Sequence, residues 1–340
     1  AETFRAIARD SGAVLLSYWL GPTRSHAWVV TGREIHHVTL PPAAVIEGLA
    51  REYKDALELR LADPLRTRIP AGERLYEVLL APVRQWIPPS SRVILATDGI
   101  LHGLNLEALP VPGGHYWIED VTLALVPSLG LLAGRPPRTA VARRLLLLGN
   151  PIPSDTSFGP LSHAAAEMDS VRRNFGGPEQ VVLSGSAATP DAYRAAGPER
   201  FSAILDTAHA QANRESPLDS AVLLTGGKLY AREVMDASLT ADLVTVSACR
   251  GVGLRTYSGE GLVGFAWAFL HAGARHVIAG LWDVNDQSTA ALMDVLYREL
   301  AAGKTAAVAL RTAKLSLIQS SGNLRKPYYW APFQMYTITP

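Results

Sequence analysis

Leu243-Val-Thr-Val-Ser-Ala-Cys249-Arg-Gly holds the only cysteine of a 340-residue chain, where an apolar run gives way to polar and glycine-rich sequence. Forty residues earlier a second apolar run, Phe201-Ser-Ala-Ile-Leu-Asp-Thr-Ala-His209, ends on a histidine. Runs of this kind read as strands buried on both faces. In an open α/β sheet, ligands gather beyond the carboxyl ends of the strands, and both His209 and Cys249 fall at such ends. An imidazole within hydrogen-bond reach of a thiol favours the thiolate and later protonates a leaving amine. The backbone N–H groups of Ala210 and Cys249, released where each strand stops, would be the donors to an oxyanion. The plain alternative is a small buried cysteine and a hydrogen-bonded core histidine with no chemistry between them.

Outward from this pair, the second part of the chain alternates strands and helices. Strands are expected at 144–149, 180–184, 201–209, 221–225, 242–249 and 275–282, with a last one over 328–338. Helices are expected at 164–175, 232–238, 261–271, 287–300 and 305–318. The first part reads as three short strands within 13–40, helices over 43–62 and 73–87, and a buried strand at 92–98. Pro82 should kink or break the second of those helices. Gly134-Arg-Pro-Pro-Arg-Thr is the most linker-like segment between the two parts. The expected architecture is α/β, a mostly parallel sheet flanked by helices on both faces. Residues 1–140 would form one α/β half and residues 141–340 the half that carries the chemistry.

Composition bounds the function. With 48% hydrophobic and 19% charged residues the chain can bury a large core. A formal charge of +1 gives no general attraction to nucleic acid or to an anionic membrane, so neither is an expected partner. One cysteine excludes an internal disulfide and a multi-cysteine zinc site, which suits a reducing, cytoplasmic setting. The histidines show no metal-ligand spacing, so neither metal nor cofactor is expected. No apolar run reaches the roughly 18 residues of a membrane span. The chain starts Ala-Glu-Thr-Phe-Arg, with no leader pattern and no Met, and is read as a piece of a longer protein.

Several blocks together resemble the CHAT family of caspase-like cysteine peptidases. These are Ser247-Ala-Cys249 with Gly251 and Gly253, Gly259-Glu-Gly-Leu-Val-Gly264, Ala266-Trp-Ala-Phe-Leu-His-Ala-Gly273-Ala, Gly280-Leu-Trp282-Asp-Val-Asn-Asp286-Gln-Ser-Thr289 and Pro327-Tyr-Tyr-Trp330-Ala-Pro-Phe333. Earlier ones are Ala96-Thr-Asp98-Gly, Leu106-Glu-Ala-Leu109-Pro, Val126-Pro-Ser128-Leu and Leu148-Gly-Asn150-Pro151. The resemblance runs from about residue 13 to the end. It implies a caspase-like catalytic sheet preceded by a diverged, catalytically silent pseudo-caspase half. It also implies a Cys–His dyad, here Cys249 and His209, that cleaves peptide bonds through a thioester. Such peptidases often sit behind repeat or sensor regions and act in bacterial defence, some cutting pore-forming gasdermin-like proteins. Two departures stand out: Ala210 replaces the glycine that often follows the histidine, and Arg250 directly follows the cysteine.

Leu281-Trp-Asp283-Val-Asn-Asp286 further resembles the matching block of separase, a related peptidase that cuts after arginine. Carboxylates at Asp283, Asp286, Asp206 and Glu260 are therefore candidates for holding a basic side chain before the scissile bond. Asp286, followed by Gln-Ser-Thr, also reads as a helix N-cap. Gly259-x-Gly261-x-x-Gly264 formally matches a dinucleotide fingerprint. The preceding strand ends too early for that strand–turn–helix, however, and Glu260 would face the pyrophosphate. A loop beside the active site is the better account of these glycines. The remaining rivals are a catalytically silent binding module of the same fold and a nucleotide-binding α/β protein.

Overall fold

The structure, a computed structural model, describes residues 1–60, 62–133, 142–152, 159–177, 179–213, 215–247, 255–257, 261–282 and 286–340. At 255–257, 261–263 and 286 it describes the backbone alone. The chain opens with α1 (Glu2–Ser11) and an antiparallel meander of β1 (Ala13–Trp19), β2 (Ser25–Val30) and β3 (Ile35–Leu40). Next come α2 (Ala43–Leu57), α3 (Pro70–Leu75), β4 (Arg92–Ala96), a small ribbon of β5 (Pro110–Val111) and β6 (His115–Tyr116), α4 (Trp117–Asp120) and β7 (Thr122–Leu125). The second part begins with β8 (Arg144–Pro151), α5 (Ala164–Phe175), β9 (Glu179–Gly185) and α6 (Pro190–Ala195). It continues through β10 (Ala203–Thr207), β11 (His209–Gln211), β12 (Ala221–Leu224), β13 (Gly227–Tyr230), α7 (Ala231–Met235) and β14 (Leu243–Val246). After β15 (Arg255–Tyr257) and β16 (Gly261–Val263) it closes with α8 (Phe265–Ala272), β17 (His276–Gly280), α9 (Asp286–Ala301), α10 (Ala306–Ile318), α11 (Pro327–Trp330) and β18 (Phe333–Thr337).

Eleven of these strands join in one sheet, ordered β3-β2-β1-β4-β7-β18-β17-β14-β10-β8-β9. Seven of its ten neighbouring pairs are parallel; the meander and the β17–β18 pair are antiparallel. Every residue of β10, β14 and β18 is buried, so both faces of the sheet centre are covered. The mostly parallel α/β sheet expected from the sequence is therefore present. Among the described residues no helix is long and apolar enough to cross a membrane.

The two parts meet edge to edge, β7 pairing with β18 through Leu125 and Tyr336. The expected boundary at 140/141 falls on residues 134–141, which lie outside the described ones. A single core cluster runs from Leu16 and Tyr53 in the first part to Trp330 and Met335 in the second. Polar groups also cross the junction. Lys314 of α10, fully buried, donates to Glu107, and Asn105 Nδ2 donates to Glu107 Oε2 at 3.1 Å and to the Ala331 carbonyl at 2.8 Å. Burial pulls the Lys314 ammonium below the ordinary lysine range, while the Glu107 charge and its hydrogen bond oppose that. Arg311 reaches the carbonyls of Ile118 and Glu119, and Arg325 pairs with Asp63.

Removing one partner of such a pair strands a buried charge. Glu107→Ala is thus expected to lower unfolding free energy by about 3 kcal/mol. Glu107→Leu combined with Lys314→Met should restore most of it, with urea denaturation as the measurement. A double variant as unstable as the single one would contradict this account.

The structure corrects four sequence expectations. The helix expected over 73–87 is α3, then a π-turn at Tyr76–Leu80 closed by Ala81 N–H to Tyr76 O at 2.9 Å, then a single turn at Arg84–Trp86. Pro82, lacking an N–H, cannot continue the ladder. The strand expected over 201–209 breaks at Ala208, and the helix expected from Gly261 starts at Phe265 after a short strand. The last strand begins only at Phe333, after α11.

Candidate active site

β10 and β14 run side by side in the middle of the sheet, with Ala203 beside Leu243 and Asp206 beside Val246. Both chains therefore leave the sheet at the same edge. Ser247, the residue after β14, is still tied to β10, its N–H donating to the Asp206 carbonyl at 2.8 Å. In sequence, His209 lies three residues past Asp206 and Cys249 three residues past Val246. Cys249, Arg250, Glu260 and Asp283 lie outside the described residues, as does the side chain of Asp286. Asp286 is the first residue of α9.

His209 does not end β10, as expected, but begins β11. After Thr207 the chain leaves the main sheet at Ala208 and pairs antiparallel with β12 in a separate three-stranded sheet, His209 opposite Leu223. This turn carries the imidazole out of the buried layer to a half-exposed position. Its Nε2 lies 2.7 Å from the carbonyl oxygen of Gly159. A carbonyl only accepts, so Nε2 carries the proton and donates. In the neutral ring the lone pair then resides on Nδ1, which becomes the basic nitrogen. Nothing in the sequence singled out Gly159. Ala210, opposite Val222, has an ordinary strand backbone, since the only non-glycine residues at positive φ among those described are Ser90 and Asn150. Replacing the glycine common at this position therefore costs no backbone strain.

The floor beneath the edge is crowded and polar. A Cβ added to Gly149 of β8 would sit 2.5 Å from the Thr207 carbonyl oxygen, so only glycine lets β8 approach β10 here. Thr207 Oγ1 donates to Glu167 Oε1 of α5 at 3.1 Å, and Tyr297 of α9 donates to Thr245 Oγ1 at 3.0 Å. Asp206, 2% exposed, has no hydrogen-bond partner on either carboxyl oxygen among the described residues. Burial, with a smaller contribution from the nearby Glu167 charge, pushes its carboxyl up to about 8. Asp206 is thus a neutral acid at pH 7, below the edge rather than on it. Ser247 Oγ is likewise buried and without a partner among the described residues. Sequence reasoning missed Glu167, and it quoted Ser247 only as part of the block before Cys249.

The first part presents a quieter version of the same edge. Past β4, Thr97 Oγ1 lies 2.8 Å from His102 Nδ1, and burial lowers that imidazole to about 4, so it is neutral. The backbone of the β15–β16 hairpin, from the segment that follows Cys249, packs against this Gly99–Gly103 turn. Gly261 lies on a hairpin strand and Gly264 caps α8, which is not the strand–turn–helix of a dinucleotide site. Among the described residues no three His, Cys, Asp or Glu side chains gather as metal ligands would.

The fold defines the class. It superposes on the Saccharomyces cerevisiae separase–securin complex with a TM-score of 0.61, covering 99% of this chain and 31% of that one at 10% identity. It also superposes on the Arg-specific cysteine proteinase gingipain R, with a TM-score of 0.53, covering 86% of this chain and 75% of that one at 11% identity. The architecture is therefore caspase-like.

The profile of the CHAT domain matches residues 70–337, and the chain belongs to that family. Tetratricopeptide repeat protein 28 of Mus musculus is 32% identical over 107 residues, and its Homo sapiens counterpart 30% identical over the same length. The chain spans 4% of the length of each of these relatives.

Proposed function

We propose that the protein is a cysteine endopeptidase in which Cys249 is the nucleophile and His209 the base. The observation that supports this most is the register of β10 and β14, the strands that precede His209 and Cys249 in sequence and end at the same edge, together with the Nε2–H to Gly159 bond that fixes the imidazole tautomer. In the first step His209 takes the thiol proton and the sulfur bonds to the scissile carbonyl carbon. The N–H groups of Ala210 and Cys249 hold the resulting oxyanion. The C–N bond then breaks as His209 returns the proton to the departing amine, leaving a thioester. Water next gives a proton to His209, attacks the thioester and releases the acid, restoring the thiol.

The side chain before the cut is basic in this proposal, held by Asp283 with Asp286, Glu260 and Asp206 nearby. A guanidinium that reached Asp206 would also draw out its proton, since an adjacent cation lowers a buried carboxyl pKa. The half of residues 1–140 braces the half of residues 141–340 by way of the hairpin contact at Gly99–Gly103. The setting we propose is cytoplasmic bacterial defence, with a gasdermin-like protein as substrate and a repeat or sensor region as regulator. That separase was solved with securin, and that tetratricopeptide repeat protein 28 is named for repeats, fits a peptidase governed by protein partners.

The test is a peptide library incubated with the wild-type protein, the products being sequenced. Cleavage after Arg or Lys is expected, weakened at least about tenfold in Asp283→Ala. Preference for Asp or apolar residues would remove the basic pocket from the account. Absence of any cleavage would favour a catalytically silent binding module.

A further inference from the structure

Beyond His209 the three-stranded sheet β11-β12-β13 leads away from the catalytic edge to two adjoining clefts. The nearer, about 470 Å³, begins at Gln211, two residues past the histidine, and reaches Asn213 and Asp219. The farther, about 750 Å³, lies between the start of α6 and the outer edge of β13. Lys228, Tyr230 and Arg232 line both, forming the ridge they share.

Two features of this ridge select an occupant. The first is the backbone. Among the described residues β13 pairs only with β12, Leu229 opposite Val222, and its other edge faces the larger cleft, with Pro190 of α6 beside Gly227 at one end. The Tyr230 N–H points out from that edge, donating to Glu233 Oε2 at 2.9 Å. By the alternation of an antiparallel pair, the N–H and C=O of Lys228 point outward too. The second is charge. Arg194 is held by Asp191 at 2.6 Å and Glu233 at 2.8 Å, and Arg232 pairs with Asp219 and stacks over Tyr230 at 4.5 Å. Lys228 is exposed and donates only to the neutral Gln211 Oε1, at 2.8 Å; it has no acidic partner among the described residues. The ridge thus offers the outward backbone N–H and C=O of Lys228 and an ammonium that no carboxylate among the described residues pairs with.

We propose that this surface is an exosite for the peptidase's protein substrate. An extended segment of the substrate, away from the scissile bond, adds as a strand to β13 and sets an acidic side chain against Lys228. The inference rests on the peptidase reading for its occupant, but it makes a separate demand on binding. Main-chain pairing supplies sequence-tolerant affinity and the lysine supplies selectivity. Because the contact lies outside the reacting centre, its loss weakens capture of the substrate and leaves the chemical step intact.

The experiment measures equilibrium binding of two labelled nine-residue peptides to Cys249→Ala protein, one alternating Glu with Val and the other Lys with Val. The Glu peptide is expected to bind at least about tenfold more tightly at low salt, an advantage that shrinks as salt rises. Lys228→Met should abolish the preference and Lys228→Glu reverse it, circular dichroism confirming that both variants fold. Binding of neither peptide, equal binding of both, or a preference unchanged in Lys228→Glu would overturn the proposal. The readout is independent of the peptidase reading, since cleavage by the wild type is scored separately with the library. A wild type that cleaves nothing while the Glu peptide still binds through Lys228 would sink the enzyme and leave the docking surface standing.

Discussion

Cys249→Ala is expected to reduce peptide cleavage by at least roughly 10³-fold, and His209→Ala by a similar factor. The double variant should be no worse than either single one, because nucleophile and base act as one unit and removing either leaves the other without a task. Initial rates on the best library peptide, measured for all four proteins, check this. The argument lies in the register: Asp206 beside Val246 starts both connecting segments at one level of the sheet. The Gly159 carbonyl then fixes which imidazole nitrogen is basic. If the single losses multiply in the double variant, the two residues act independently and the dyad is wrong. A Cys249→Ala protein that keeps full activity would sink the reaction itself.

The second large effect concerns Asp206. An aspartate ordinarily titrates near 3.8, and here burial raises the carboxyl to about 8 in the folded state. Below about pH 4 the carboxyl is protonated in both the folded and the unfolded chain, and it contributes no pH dependence. Between about 4 and 8 the folded protein holds a proton that the unfolded chain has lost, so stability falls as pH rises. Above about 8 both states are ionised and the penalty is fully present. The slope in this window is about 1 kcal/mol per pH unit, on the order of 3 kcal/mol between pH 5 and pH 8. Asp206→Asn, which cannot ionise, is expected to be more stable than wild type at pH 8 and to lose most of that advantage at pH 5. Urea midpoints of the two proteins at both pH values decide it. An advantage equal at both pH values would mean that Asp206 is not the buried neutral acid described.

How much of this was written in the sequence depends on what kind of atom carries each feature. β10 and β14 were legible because strands covered on both faces must be apolar throughout, and 203–207 and 243–246 are nearly so. The break at Ala208 was not. The apolar run continues through it, and the departure happens because the chain goes on to pair with β12, a partner that no local pattern reveals. The tautomer of His209 is set by a carbonyl oxygen, and backbone atoms leave no trace in residue identity. Glu167 lies within the helix expected over 164–175, and no local pattern marks it as the residue that is 1% exposed and accepts from Thr207.

Lys314 did leave a signal that went unused. It is a lone charge in the buried stripe of α10, among Ala306, Ala309, Leu310, Ala313 and Leu317, and such a charge needs a buried partner. The single eleven-stranded sheet was hidden by the linker-like text at 134–139, because nothing local predicts that β7 and β18 will pair across it.

The central claim is that the imidazole of His209 governs the thiol of Cys249, and since the chain has a single cysteine, alkylation reads that thiol alone. The decisive measurement is the rate of iodoacetamide modification against pH, followed by intact mass, for wild type and His209→Ala. Wild type should react as a thiolate well below the ordinary cysteine value of about 8.5, and His209→Ala should return the profile toward that value. Superimposable profiles for the two proteins would contradict the account.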